Sequence, residues 1–152
     1  MNARHTPNSR TANAVAPASM RALRGLMLVT DLGFIAYWAV TGLHAVPEAY
    51  LFKDYQDPLI VAWNWSFLPL DLTISASGLL SLWLQRRGDR RWPALTLVSL
   101  TLTSCSGLMA LAFWALRRDF DVTWWLPNAF LLVYPLFFAG RVMRAWTPRA
   151  EA

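Results

Sequence analysis

Apolar residues gather into four long runs, and the polar residues fall either in the short connections between them or at helical spacing within them. The first run, about 23–46, is interrupted only by Asp31 and ends at Pro47. The second covers about 59–85, the third 93–116 without a single charge, and the fourth about 122–140, with Pro127 and Pro135 inside it. A hydrocarbon core takes about 20 residues to cross, so each run can span one. The pattern predicts an all-α fold, a polytopic four-transmembrane-helix bundle. At about 1.5 Å per residue the second run reaches about 40 Å, so it must tilt or lay its first turns in the interface, and Pro69 is expected to kink it just before Asp71.

The flanks do not extend this domain. Residues 1–20, MNARHTPNSRTANAVAPASM, cannot bury a core and are expected to form a disordered cytoplasmic segment. The membrane domain then occupies 21–146 and a short cytoplasmic tail 147–152. Arg21 and Arg24 ahead of an apolar run resemble the start of a signal peptide. That run is too long and too polar for an apolar region of about 7–15 residues, so it reads as a retained first helix.

Polar positions inside the runs share faces. Asn64, Asp71, Gly78 and Gln85 recur every seven residues along the second helix, with Ser75 one turn from Asp71. On the first helix Thr30, Tyr37, Thr41 and His44 make a second stripe. On the third, Thr96, Ser99, Thr103, Gly107 and Ala110 make a small, hydroxylated face of the kind that lets membrane helices approach closely, and its reading is structural. The fourth adds Asn128 and Tyr134.

Asp71 stands out, because an ionised side chain at bilayer depth costs about 2.5–3.5 kcal/mol on insertion scales. Such residues face a protein interior and often mark a site. The bland reading is a carboxyl hydrogen-bonded to Ser or Thr across a helix interface. The functional reading is the polar anchor of an intramembrane pocket, with Asn64, Thr41 and His44 completing its hydrogen bonds and Trp38 and Tyr134 meeting the apolar body of a ligand. Asp31 lies two helical turns above Arg24 and is expected to snorkel or pair towards the cytoplasmic arginines. His44, near an interface, reads equally well as a wet surface histidine.

Charge orients the bundle. Of the 14 basic residues in the 152-residue chain, eleven fall in the N-terminal segment, the RRGDRRW connection and the tail, leaving Lys53, Arg117 and Arg118 for the other side. The positive-inside rule then puts both termini in the cytoplasm, in agreement with an even number of spans. The protein is thereby expected in a bacterial cytoplasmic (inner) membrane. Eight of nine Trp lie near helix ends and read as interfacial belts: Trp63, Trp65, Trp114, Trp124 and Trp125 outside, Trp83, Trp92 and Trp146 inside. The net charge of +5 sits in these short clusters and does not cover a surface, so nucleic acid is not an expected partner.

Other chemistries are excluded by what is missing. Cys105 is the one cysteine, so there is no internal disulfide and no CxxC redox pair. One histidine in the membrane region cannot supply bis-histidine haem ligation, and no His, Cys and acid cluster has metal-ligand spacing. No cofactor or metal is expected. The second half has no counterpart to Asp71, which argues against an inverted-repeat transporter.

The stretches KDYQDPLIVAWNWSFLPLDL (53–72), SCSGLMALAFW (104–114), DFDVTWWLPN (119–128) and YPLFF (134–138) resemble the YvaD-like family of small bacterial membrane proteins. That resemblance covers about residues 23–140 and implies the four-helix fold without an activity. A more distant similarity, through Asp57, Pro58, Trp63 and Asp71, is to the emopamil-binding or EXPERA group, which includes sterol isomerases and the sigma-2 receptor. It implies that Asp71 meets a ligand's cation or polar head, with Tyr134 lining the pocket. The group's second acid is absent here, where Thr41, Gly42 and His44 stand. The leading expectation is a non-enzymatic binder of a lipid-like or amphipathic molecule. The alternatives are an isomerase using Asp71 and His44, a proton-coupled exporter, and an assembly subunit; a homo-oligomer is left open.

Overall fold

The computed structural model describes residues 17–146; the rest of the expected N-terminal segment and the tail 147–152 lie outside the described residues. Among the described residues there are five α-helices, α1 (Pro17–Gly42), α2 (Pro58–Ser66), α3 (Leu68–Arg86), α4 (Trp92–Leu116) and α5 (Val122–Trp146), with a short 3₁₀ turn at Glu48–Tyr50. Helices α2 and α3 together form one span, so four spans result, each long and apolar enough to cross a membrane. Side-chain bonds pair the start of α1 with the end of α3 and the end of α1 with α2 and the start of α3. Both described ends therefore lie at one end of the bundle, called here the terminal end; the other is the far end.

Helix α1 starts earlier and stops earlier than its hydropathy suggests. Residues 17–20 are its first turn and not part of a disordered segment, while Leu43–Val46 fall outside it. The stop is a Schellman motif: the amide of Ala45 donates to Val40 O (3.1 Å) and that of His44 to Thr41 O (3.2 Å), with His44 left-handed at φ 50°. The same pair of bonds closes α3 at Gly88 (φ 69°) and α4 at Arg118 (φ 56°). Apolarity alone could not show these stops, because Leu43 and Val46 are as greasy as the helix they follow.

The second span breaks at Phe67, two residues before Pro69. Proline lacks the amide that would bond the Trp65 carbonyl, and its ring crowds that same carbonyl one turn back, so the break appears upstream of the residue that causes it. Asp57 caps α2, its carboxylate accepting from the Leu59 amide (2.9 Å), with Pro58 preset for the first turn. Helix α5 runs through Pro127 and Pro135 to Trp146, six residues beyond the expected end.

Helix α1 packs on α3, α3 on α4, and α4 on α5. Small residues set these distances. A Cβ on Gly107 would lie 2.5 Å from Asn128 O and 2.7 Å from Leu132 N, so α4 and α5 meet backbone to backbone there. Ser81, Thr96, Ser99 and Thr103 fill the α3–α4 seam as the structural reading expects, their hydroxyls bonded largely to carbonyls of their own helices. The terminal half has a conventional apolar core of Leu23, Met27, Leu82, Leu100, Tyr134, Phe138 and Val142. Outward on every span stand large apolar side chains, among them Val29, Leu80, Leu108 and Val133. This is the surface of a protein solvated by lipid, and the chain is a multi-pass membrane protein.

Candidate functional site

The far half is not filled. A cavity of about 520 Å³ lies among all five helices. Phe34, Tyr37 and Trp38 line it from α1, Asn64 with Trp63 from α2, Asp71 from α3, Ser106 and Ala110 from α4, and Thr123, Trp124, Pro127, Asn128 and Leu131 from α5. Phe67, at the helix break, completes the wall. Asn64 and Asp71, on one face by spacing, both line the same space.

Asp71 is 4% exposed and is held from two sides. The Trp38 Nε1–H donates to Oδ2 (3.0 Å) and the Ser106 hydroxyl to Oδ1 (3.1 Å), so each oxygen keeps a lone pair for a further donor. It is the one charged residue lining the cavity among those described. Ser75 donates to the backbone carbonyls of Asp71 (2.9 Å) and Asp31 (3.0 Å), tying α1 to α3 just below. Tyr37 donates to Asn64 Oδ1 (3.0 Å), while Asn64 Nδ2 is buried without a hydrogen-bond partner. Trp38 packs edge-on against Tyr37 and tilted against Trp65, which fixes the indole that holds the carboxylate.

Of the expected site residues, Asp71, Asn64 and Trp38 come together. Three do not. Thr41 is buried, but its hydroxyl bonds Tyr37 O one turn back on its own helix (2.8 Å). His44 is exposed beyond the end of α1, in the left-handed position of its terminal turn, so it does not complete an acid–histidine pair with Asp71. Tyr134 points into the terminal half and donates to the Thr30 hydroxyl (3.0 Å). Ser106 and Tyr37 are contacts that the sequence reading did not assign. Ser106 could have been found, for it lies on the α4 face between Thr103 and Ala110.

Two further expectations change. Asp31 does not reach the arginines: Arg24 is taken up by Gln85 (2.6 Å), and Asp31 is 1% exposed, against Gly78, with Oδ2 unpartnered. Trp114 is no interfacial belt residue but is 3% exposed, edge-on to Trp63 and stacked with Trp124. The side chain of Trp146 lies outside the described residues.

Over the far end runs the α1–α2 connection, whose Tyr50 and Leu51 also line the cavity and whose Phe52 is buried. Lys53 anchors it by bonding Asp119 (2.5 Å), with Asp121 at 3.8 Å, and Arg117 reaches back to Asp54 (3.3 Å). The hydrogen bond to Asp119 raises the Lys53 pKa, and the Thr123 hydroxyl lowers that of Asp121, so these groups stay charged at neutral pH.

Helices, outward surface and a buried acid define a small all-α multi-pass membrane protein with an intramembrane acid. Residues 23–149 match the model of a family of unknown function, DUF5360, and the chain belongs to that family. It is 53% identical over 125 residues to the uncharacterized protein YvaD of Bacillus subtilis (strain 168), a match covering 82% of this chain and 94% of that one. No solved structure matches the chain.

Proposed function

We propose that this protein binds a lipid-like or amphipathic small molecule in the far-half cavity, its polar end at Asp71 and its apolar body against the aromatic walls. The observation that carries the reading is the company of Asp71. A pocket this size with aromatic walls and a few convergent polar groups suits a small ligand, and a carboxylate with spare lone pairs suits a donor. Both residues of the Asp57–Pro58 pair and Trp63 have structural duties, in capping α2 and in stacking on Phe113 (4.1 Å between centroids). The distant emopamil-like similarity therefore bears on ligand binding through Asp71 alone.

The test is mass spectrometry of small molecules co-purifying with the wild type and with Asp71→Asn in the same detergent. A defined compound enriched in the wild type is expected; identical bulk-lipid profiles would reduce Asp71 to a packing residue. We further propose that the protein sits in a bacterial cytoplasmic membrane with both termini in the cytoplasm. Among the described residues Arg21, Arg24, Arg86, Arg87, Arg90, Arg91, Arg141 and Arg144 gather at the terminal end, against Lys53, Arg117 and Arg118 at the far end. A C-terminal green fluorescent protein fusion should fluoresce and a C-terminal alkaline phosphatase fusion should be inactive; the reverse would invert the topology.

A further inference from the structure

We infer that the cavity is loaded sideways from the bilayer, through the gap between α1 and α5, and that its occupant is a membrane lipid with a hydroxyl head and no phosphate. This rests on the ligand-binding reading above. Among the described residues α1 packs on α3, α3 on α4 and α4 on α5, while α1 and α5 approach each other least and meet through side chains of the terminal half. Their link is the Tyr134 to Thr30 hydrogen bond, with the apolar core of the terminal half beneath it. Above that bond Phe34 and Tyr37 of α1 and Asn128 and Leu131 of α5 line the same cavity. The α1–α2 connection crosses the axial end of the bundle, where Lys53 and Asp54 fasten it to the α4–α5 turn.

Chemistry narrows the head group. Among the described residues no arginine or lysine lines the cavity to neutralise a phosphate or carboxylate, and an ionised Asp71 repels both. Asp71 accepts, while Asn64 Nδ2 has a hydrogen and no partner. A head carrying more than one hydroxyl answers both, one hydroxyl donating to Asp71 and another accepting from Asn64. An ammonium has no lone pair for Asn64. The acyl chain would then leave between α1 and α5, where apolar surface already faces lipid.

Access can be tested without any ligand. Cys105 is exposed, so the background is Cys105→Ser, with Ala110→Cys placing a thiol on the buried cavity wall. In phosphatidylcholine vesicles, reaction with an acyl-chain maleimide is compared with reaction with a cationic, water-borne methanethiosulfonate. Phe120→Cys in the exposed α4–α5 turn calibrates the aqueous reagent. The Ala110→Cys thiol is expected to react at least about tenfold faster from the bilayer than from water, relative to that control, a barrier difference of about 1.4 kcal/mol. Equal rates, or no reaction from the bilayer, would overturn lateral loading; Asn128→Cys on the α5 wall repeats the test if Ala110→Cys does not fold.

The head group is read by protection. Monopalmitoylglycerol at five times its Kd should slow labelling about sixfold, with palmitic acid and hexadecylamine having no effect. Protection by the amine or the acid instead, or by none, overturns the hydroxyl assignment while leaving the access result standing. The fate of the binding reading itself is decided separately, by the Asp71→Asn lipid profile.

Discussion

Gly107→Ala and Gly33→Ala are the same substitution in two helices, and the structure gives them opposite signs. Each gains about 0.5–1 kcal/mol from replacing glycine inside a helix. At Gly33 the added methyl meets nothing within 4 Å, so that gain is kept. At Gly107 it would sit 2.5 Å from Asn128 O and 2.7 Å from Leu132 N, both backbone atoms that no rotamer change can move. Reaching ordinary contact requires α5 to withdraw by roughly 0.5–1 Å, which forfeits a quarter to a half of about 0.1–0.2 kcal/mol for every atom pair along the seam. Over some tens of pairs this comes to about 1–3 kcal/mol, the usual cost of overpacking. Because the helix-propensity gain cancels between the two variants, their difference isolates the seam. At about 2–4 °C per kcal/mol for a chain of this size, the two melting temperatures in one detergent should differ by about 2–12 °C, Gly107→Ala being the lower. Equal melting temperatures would show that α4 and α5 do not meet at Gly107, and with that the stated packing order would fail.

Asp31→Ala should raise stability by about 1 kcal/mol by removing an unpartnered buried oxygen, and should also rescue Gly78→Ala, whose methyl would overlap the Asp31 carboxylate; a double-mutant cycle without coupling would refute the contact. Arg118→Gly and His44→Gly should each stabilise by about 1 kcal/mol in thermal unfolding, since both positions hold a left-handed backbone that glycine adopts freely; a loss on either would mean that its terminal turn is not formed. Arg91 bonds Asp89 through side chain and backbone and holds its pKa down to about 2, below the unfolded value. Its contribution is therefore complete above about pH 4 and is lost as pH falls towards about 2, so wild type and Asp89→Asn should differ in unfolding midpoint at pH 6 and converge near pH 2.

The four spans were legible because hydropathy and span length are the same physical fact. So was the burial of Asp71, an acid in a stretch that otherwise excludes acids. Less legible was anything decided by which neighbour a face meets. Asp31 and Arg24 share a helix face two turns apart, yet Gln85 takes the guanidinium and Gly78 makes room for the acid. Tyr134 and Thr41 have the polarity of site residues and spend it on Thr30 and on a carbonyl of α1. Trp38 carried no polar signal beyond its indole N–H. That donor reaches Asp71 across a helix pair whose register no single-chain periodicity reports.

The two halves of the bundle show why a cavity forms where it does. In the terminal half, Leu, Met, Phe and Val fill the space between helices. In the far half two prolines intervene. Pro69 ends the straight run of the second span at Phe67, and Pro127 removes an amide from α5 opposite it. The residues left facing the gap are aromatic and polar. Filling that gap with Leu would have stabilised the fold more cheaply than an acid held by Trp38 and Ser106. Irregular backbone and an acid at membrane depth are each costly in lipid and tolerated where they line a cavity. Asp31, the other buried acid, sits against Gly78 with an unpartnered oxygen, whereas Asp71 stands beside the helix break, has a donor on each oxygen and lines open volume, which sets its cavity apart from incidental loose packing.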